Sequence, residues 1–202
     1  MRGRFIAFEG GEGSGKSTQA HRVAGARNGL LTRQPGGTEI GASIRALVLS
    51  PETAGLSDRA EALLMAADRA QHVDQVIRPA LEAGTDVICD RYVSSSLAYQ
   101  GAGRELGISQ VLALSEFAVG DTWPDLNVLL DVPVEVGLGR IDGPPDRLEQ
   151  QGDGFHDRVR STFLALAADS PEQWLVIDAT QPVEVVGAEL DAALRERFAW
   201  TL

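Results

Sequence analysis

An apolar run, a glycine-rich octet and a helical pattern follow one another near the start of the chain, and this order constrains the fold more than any other feature. RFIAF reads as a short buried strand ending at Glu9, and the pattern from Lys16 to Arg27 reads as a helix. Between them, Gly10-Gly11-Glu12-Gly13-Ser14-Gly15-Lys16-Ser17 fits GxxxxGK[ST] in the strand-to-helix setting that makes the pattern specific. Glycines let successive N–H groups turn inward onto phosphate oxygens, and the helix N-terminus, continuing into Thr18, adds partial positive charge. Lys16 is expected to reach the β- and γ-phosphates of a nucleotide, and the Ser17 hydroxyl to sit on Mg²⁺.

Lys16 stands out in a second way. Of the 18 basic residues it is the only lysine, the other 17 being arginine. A drift toward arginine replaces lysine where any positive charge serves, but not where a compact, flexible ammonium is required.

The rest of the chain continues the alternation. LLT, DVIC, LNVLLD and WLVI read as strands, the last three ending at Asp90, Asp131 and Asp178. Thr38 is the expected N-cap of a helix with Ile40, Ile44, Leu47 and Val48 on one face, and Ser57 caps a helix running toward Gly84 with a kink near Pro79. Further helices are expected near 109–119, 134–141, 155–168 and 183–197. This predicts a single α/β domain over 1–202 with a parallel sheet between helical layers, and a ligand site beyond the carboxyl ends of the strands. The polar, Gly- and Pro-rich stretch 142–154 is expected to be a mobile lid.

Composition removes several classes of function. A net charge of −11 argues against nucleic-acid polymers and anionic membranes as partners, since both need a broad cationic face. No apolar run approaches the ~20 residues of a membrane span. FIAF is too short for a secretory signal, so a cytoplasmic protein is expected. Cys89, the single cysteine, excludes an internal disulfide and reads as a small buried filler. His21, His72 and His156 lack metal-ligand spacing and read as surface or helix histidines. A guanine-nucleotide switch is weakened by the lack of DxxG and NKxD motifs.

FEGGEGSGKSTQ, TRQPGGT, LLMAADRAQHV, CDRYVSSSLAYQGAGR, PDLNVLLDV, DRLEQ and VIDATQP, in this order and spacing, resemble the bacterial thymidylate kinases along nearly the whole chain. The resemblance implies a P-loop NTPase fold with a five-stranded parallel sheet and a short flexible lid, ATP as donor with Mg²⁺, dTMP as acceptor and a homodimer. It gives Arg91 the acceptor phosphate and Arg69 a thymine carbonyl. Met65 lies under the ring, where the family usually has phenylalanine. Ser96 lies at the thymine edge, Tyr99 and Gln100 line the pocket, and Ser95 is a further dTMP-binding residue. Glu12 falls near the sugar, directly or through the metal, with Asp90 a further metal candidate beside Ser17. Arg33, Gln34 and Arg45 flank the acceptor phosphate, Gln34 replacing a more usual glutamate. Arg147 closes on the transferring group with Glu149 orienting it, and Ala179, Thr180 and Gln181 cup adenine. Two competitors stay open: another nucleoside monophosphate or deoxynucleoside kinase, and a non-catalytic nucleotide-sensing regulator.

Overall fold

The structure is a computed structural model that describes residues 2–200, Asp153 by its main chain only. Five strands form one parallel sheet: β1 (Phe5–Glu9), β2 (Leu30–Arg33), β3 (Val87–Asp90), β4 (Leu126–Asp131) and β5 (Trp174–Asp178), in the order β2-β3-β1-β4-β5. All five residues of β1 are buried, as its continuous apolar run requires of a central strand covered on both faces. Ile6, Phe8, Val128 and Leu130 pack on one face; Phe5, Ala7, Val87 and Cys89 pack on the other. Alternate residues of one strand thus feed two layers, each large buried side chain contributing about 1.5–3 kcal/mol. Register pairs Phe8 with Asp90, Arg33 with Asp90, and Asp131 with Asp178, so the carboxyl ends of the strands lie along one edge. The order reverses direction around β1, and the crevice at such a point takes the ligand.

The helices are α1 (Lys16–Arg27), α2 (Glu39–Leu49), α3 (Asp58–His72), α4 (Arg78–Glu82), α5 (Val93–Ser96), α6 (Ile108–Val119), α7 (Val134–Leu138), α8 (Asp153–Asp169) and α9 (Val183–Phe198). The Thr38 side chain accepts from the Gly41 N–H and that of Ser57 from the Ala60 N–H, so both expected caps form. The kink expected at Pro79 is spread over a wider turn at Val73–Ile77 that joins α3 to α4. A second wide turn, Leu97–Gly103, extends α5. Such turns relieve a helix that must carry a proline or a functional bend.

Two expectations change. The apolar face of α2 is only partly covered: Val48 is buried, whereas Ile40 and Leu47 are 56% and 50% exposed, because α2 lies against α3 rather than on the sheet. In the segment 142–154, Asp142–Pro145 is exposed, but the turn that follows is tightly bonded. Asp146 Oδ1 accepts from the Leu148 and Glu149 N–H groups, Glu149 Oε2 accepts from Asp146 N–H, and the Arg147 N–H donates to the Leu49 carbonyl. The back half of the expected lid is therefore tied to the end of α2. Among the described residues no helix is long and apolar enough to cross a membrane.

Candidate active site

The glycine octet wraps the N-terminus of α1. Gly15 caps that helix in the left-handed region, and Gly13, also at positive φ, has no room for a Cβ because the Gly137 carbonyl of α7 lies against it. Lys16 is buried and folds back over the loop, Nζ donating to the Gly11 carbonyl at 2.5 Å and to Ser14 Oγ at 3.1 Å. Burial lowers its pKa to about 8, Arg91 pushing the same way against the pull of Glu12. Ser17 Oγ, exposed at the loop's far side, donates to Asp90 Oδ2 at 2.5 Å. This hard-oxygen pair suits Mg²⁺, whereas Glu12 is engaged elsewhere.

Arg91 stands beside the loop with φ 68°, a conformation costly for a residue with a Cβ. It is held there by its N–H on the Phe8 carbonyl and by the next N–H, of Tyr92, on the buried Glu9 carboxyl. Its guanidinium donates to Gly10 O at 3.0 Å, Ser95 Oγ at 3.3 Å and Glu12 Oε1 at 2.7 Å, and it lies over the Tyr99 ring, whose hydroxyl donates to the same Glu12 oxygen. Burial opposes ionisation of Glu12, but Arg91, Lys16 and Tyr99 outweigh it and hold its pKa at about 2. Glu12 is thus an anion at neutral pH, and Arg91, raised in turn by that anion, stays a cation.

Arg91 and Glu12 form one wall of a cavity of about 130 Å³ beyond the strand ends. Met65 and Arg69 of α3, Gln34 and Arg45, and Ser95, Ser96, Tyr99 and Gln100 complete the walls, so most of the expected acceptor-site residues meet. Arg33 does not join them; it is exposed and lines a separate open pocket with Ser17 and Asp90, since successive strand residues face opposite ways. Asp68, Asp146 and Leu148 also line the cavity; they lie inside the quoted motifs without having been given a role, and Leu49, a further wall residue, lies in none of them. Arg69 is buried with neutral partners: Gln34 Oε1 on Nε at 3.0 Å, Ser115 on Nη1 at 3.3 Å, and Ser96 at 2.7 Å with the Tyr92 carbonyl on Nη2.

Arg147 lies elsewhere than its expected role requires. Its guanidinium is buried, donating to the Val48 carbonyl and to Glu61 Oε2 at 2.5 Å; Glu149 has no contact with it. Glu61, fully buried, also holds Arg104 at 3.1 Å and Gln100 at 2.7 Å. The carboxylate that holds Arg147 in this arrangement is therefore Glu61, whose place in the helical pattern of α3 gave no sign of it. On the loop's other side, Ala179, Thr180 and Gln181 line an open groove with Ser14, Gly15 and Gln19. Arg140 crosses this groove, donating to the carbonyls of Ala179 and Gly13, and Asp178 folds Thr180 and Gln181 into a turn.

The family profile described as thymidylate kinase matches residues 8–190. A thymidylate kinase of Thermomicrobium roseum is 51% identical over 95% of this chain and 94% of its own length. One from Alcanivorax borkumensis is 44% identical over 99% of this chain and 100% of its own. The crystal structure of thymidylate kinase from Ehrlichia chaffeensis superposes with a TM-score of 0.79 at 32% identity, covering 96% of this chain and 99% of that one.

Proposed function

The chain belongs to the thymidylate kinase family, and from that premise we propose that the cavity and the groove described above carry the γ-phosphoryl group of ATP to dTMP, giving dTDP and ADP. One observation carries the assignment of parts: Arg91 bonds to the glycine loop through Gly10 and Glu12 while facing the enclosed cavity. A guanidinium so placed touches both phosphoryl ends, and its planar fork suits an oxyanion.

ATP lies with its phosphates in the loop and adenine in the groove of Ala179, Thr180 and Gln181. Lys16 leaves the Gly11 carbonyl for the β- and γ-phosphates. Ser17 and Asp90 would hold the Mg²⁺ that lowers the phosphates' negative charge. dTMP enters the cavity with its phosphate toward Arg91 and Arg45, its base over Met65 and its carbonyl edge at Arg69, whose spare N–H needs an acceptor. A monophosphate is already about −1.5 to −2 in charge, so its oxygen attacks without a protein base. The obstacle is repulsion between two anions, and in-line holding with Lys16 and Arg91 meets it. Arg147 joins them in a second arrangement of residues 142–154, in which Arg104 keeps Glu61 company.

The protein acts as a cytoplasmic homodimer of single kinase domains. Adjoining helices α2, α3 and α6 leave Leu47, Leu63 and Phe117 at 50%, 56% and 93% exposure, an apolar surface suited to a second copy. Pure protein with Mg²⁺-ATP and a panel of nucleoside monophosphates should release ADP fastest with dTMP. Equal release with every acceptor, or with none, would refute the assignment.

A further inference from the structure

Among the described residues Arg69 is a buried cation that forms no ion pair with a carboxylate, so its aim depends on neutral hydrogen bonds, and one of these leads to a residue outside the cavity. His72 ends α3 one turn after Arg69, is fully buried, and lies against Gly37 so closely that a Cβ there would strike the ring. Its two ring nitrogens meet Gln34 Nε2 at 3.0 Å and Thr32 Oγ1 at 2.6 Å. The direction of every proton in this chain follows from its arginine end. Arg69 Nε can only donate, so the Gln34 oxygen must face it and the Gln34 amide nitrogen must face His72. His72 Nδ1 must therefore be the lone-pair nitrogen, and Nε2 carries the hydrogen, given to Thr32. Burial, reinforced by Arg69, lowers the His72 pKa to about 4, so the neutral ring this scheme requires is the form present at neutral pH.

We propose that His72 is the positioning residue for base recognition: its Nδ1 lone pair fixes the Gln34 amide, and that amide turns the Arg69 guanidinium so that its one spare N–H, on Nη1, faces the acceptor's base. Four of the five N–H groups of Arg69 are taken by Gln34, Ser115, Ser96 and Tyr92, and the Gln34 bond sets the rotation of the whole plane. Release of the amide from His72 lets it turn its NH₂ toward Nε, two donors face to face, and the guanidinium swings. The ligand class selected is a pyrimidine with a carbonyl at the position Arg69 reaches; one with an amine there offers a donor to a donor. This inference rests on the acceptor assignment above.

Two substitutions separate His72's nitrogens. In His72→Asn the side-chain oxygen stands near the place of Nδ1 and still accepts from Gln34; in His72→Gln the amide reaches the place of Nε2 and serves Thr32 alone. Exchange of the Arg69 Nε–H, followed by NMR in the ligand-free protein, should accelerate about tenfold in His72→Gln. KM for dTMP should rise by a similar factor, the preference for dTMP over dCMP should shrink, and kcat and the KM for ATP should stay within about twofold. His72→Asn should restore both exchange and KM, and equal melting temperatures show that neither variant has lost the fold. The proposal is overturned if the Nε–H is equally protected in both variants, or if Arg69→Lys raises the KM for dTMP while His72→Gln does not. If exchange separates the variants but neither His72→Gln nor Arg69→Lys moves the KM, His72's hold on Arg69 stands and the placement of the base falls.

Discussion

The cavity proposed for the acceptor and the groove proposed for the donor are built on opposite principles. In the cavity, side chains from the glycine loop, the residue after β3, α3, α5 with the wide turn that extends it, and the loop after β2 bond to one another: Arg91 to Glu12, Tyr99 to Glu12, Arg69 to Gln34 and Ser96, Gln100 to Glu61. The groove is open and made largely of main chain and small side chains, with Arg140 drawn across it by two carbonyls. A preorganised wall selects because it cannot adjust, whereas a main-chain groove accepts any residue types that keep its turn. Selectivity should therefore reside with the acceptor and donor grip with the loop.

The strongest test of that division is Lys16→Ala, which should lower turnover by about 10³-fold or more while calorimetric affinity for dTMP changes little. An equal loss of dTMP affinity would mean the two regions are not separable. Arg91→Ala comes next: kcat/KM for dTMP should fall about 10²–10³-fold, with a drop in melting temperature because Glu12 is left buried without its cation. Arg147→Ala should lower kcat by at least about tenfold with a smaller change in dTMP affinity; unchanged turnover would restrict Arg147 to bracing Glu61.

A smaller effect follows from pH. The Lys16 ammonium, lowered to about 8 by burial and Arg91 and supported by Glu12, Asp90 and Glu9, loses its proton as pH rises through that value. Affinity for ATP should weaken between pH 7 and 9 by a few fold, while dTMP binding stays flat. Stability runs the other way: a folded-state pKa below the ordinary lysine value means the charged lysine costs stability at neutral pH, and that cost begins to fade as pH rises past about 8 and is gone once pH passes the ordinary lysine value. The least effect on turnover is expected from Phe117→Asp, which should shift sedimentation toward the monomer.

Much of this architecture was legible in advance because it depends on local patterns. The strand-glycine-helix order announced the loop, Thr38 and Ser57 announced helix starts, and three aspartates marked strand ends. The resemblance grouped Arg69, Arg91 and Ser96, and the structure brings the three to one cavity. What escaped was long-range pairing. His72 read as an ordinary helix histidine, because nothing in α3 tells that Gln34 and Thr32 will come to lie beside it. Glu61 lies in the first turn of α3 within no quoted motif, yet it gathers Arg104 and Arg147 from far along the chain. Arg147 was assigned by the resemblance to the reacting group, but its own bonds to the Val48 and Leu49 carbonyls of α2 and to Glu61 decide where it rests. Arg33 was grouped with its neighbour Gln34, and strand alternation parts them.

The contact of Gly13 with Gly137 reaches beyond the site. A methyl group at Gly13 would need the space of the Gly137 carbonyl, and one at Gly137 the space of the Glu12 carbonyl, so the curl of the nucleotide loop is moulded by a helix more than a hundred residues downstream. The most recognisable eight residues in the chain are thus not a self-sufficient device. Any alanine introduced at either glycine should prise them apart, and a fragment that ends before β4 has crossed into α7 would carry the motif without its shape.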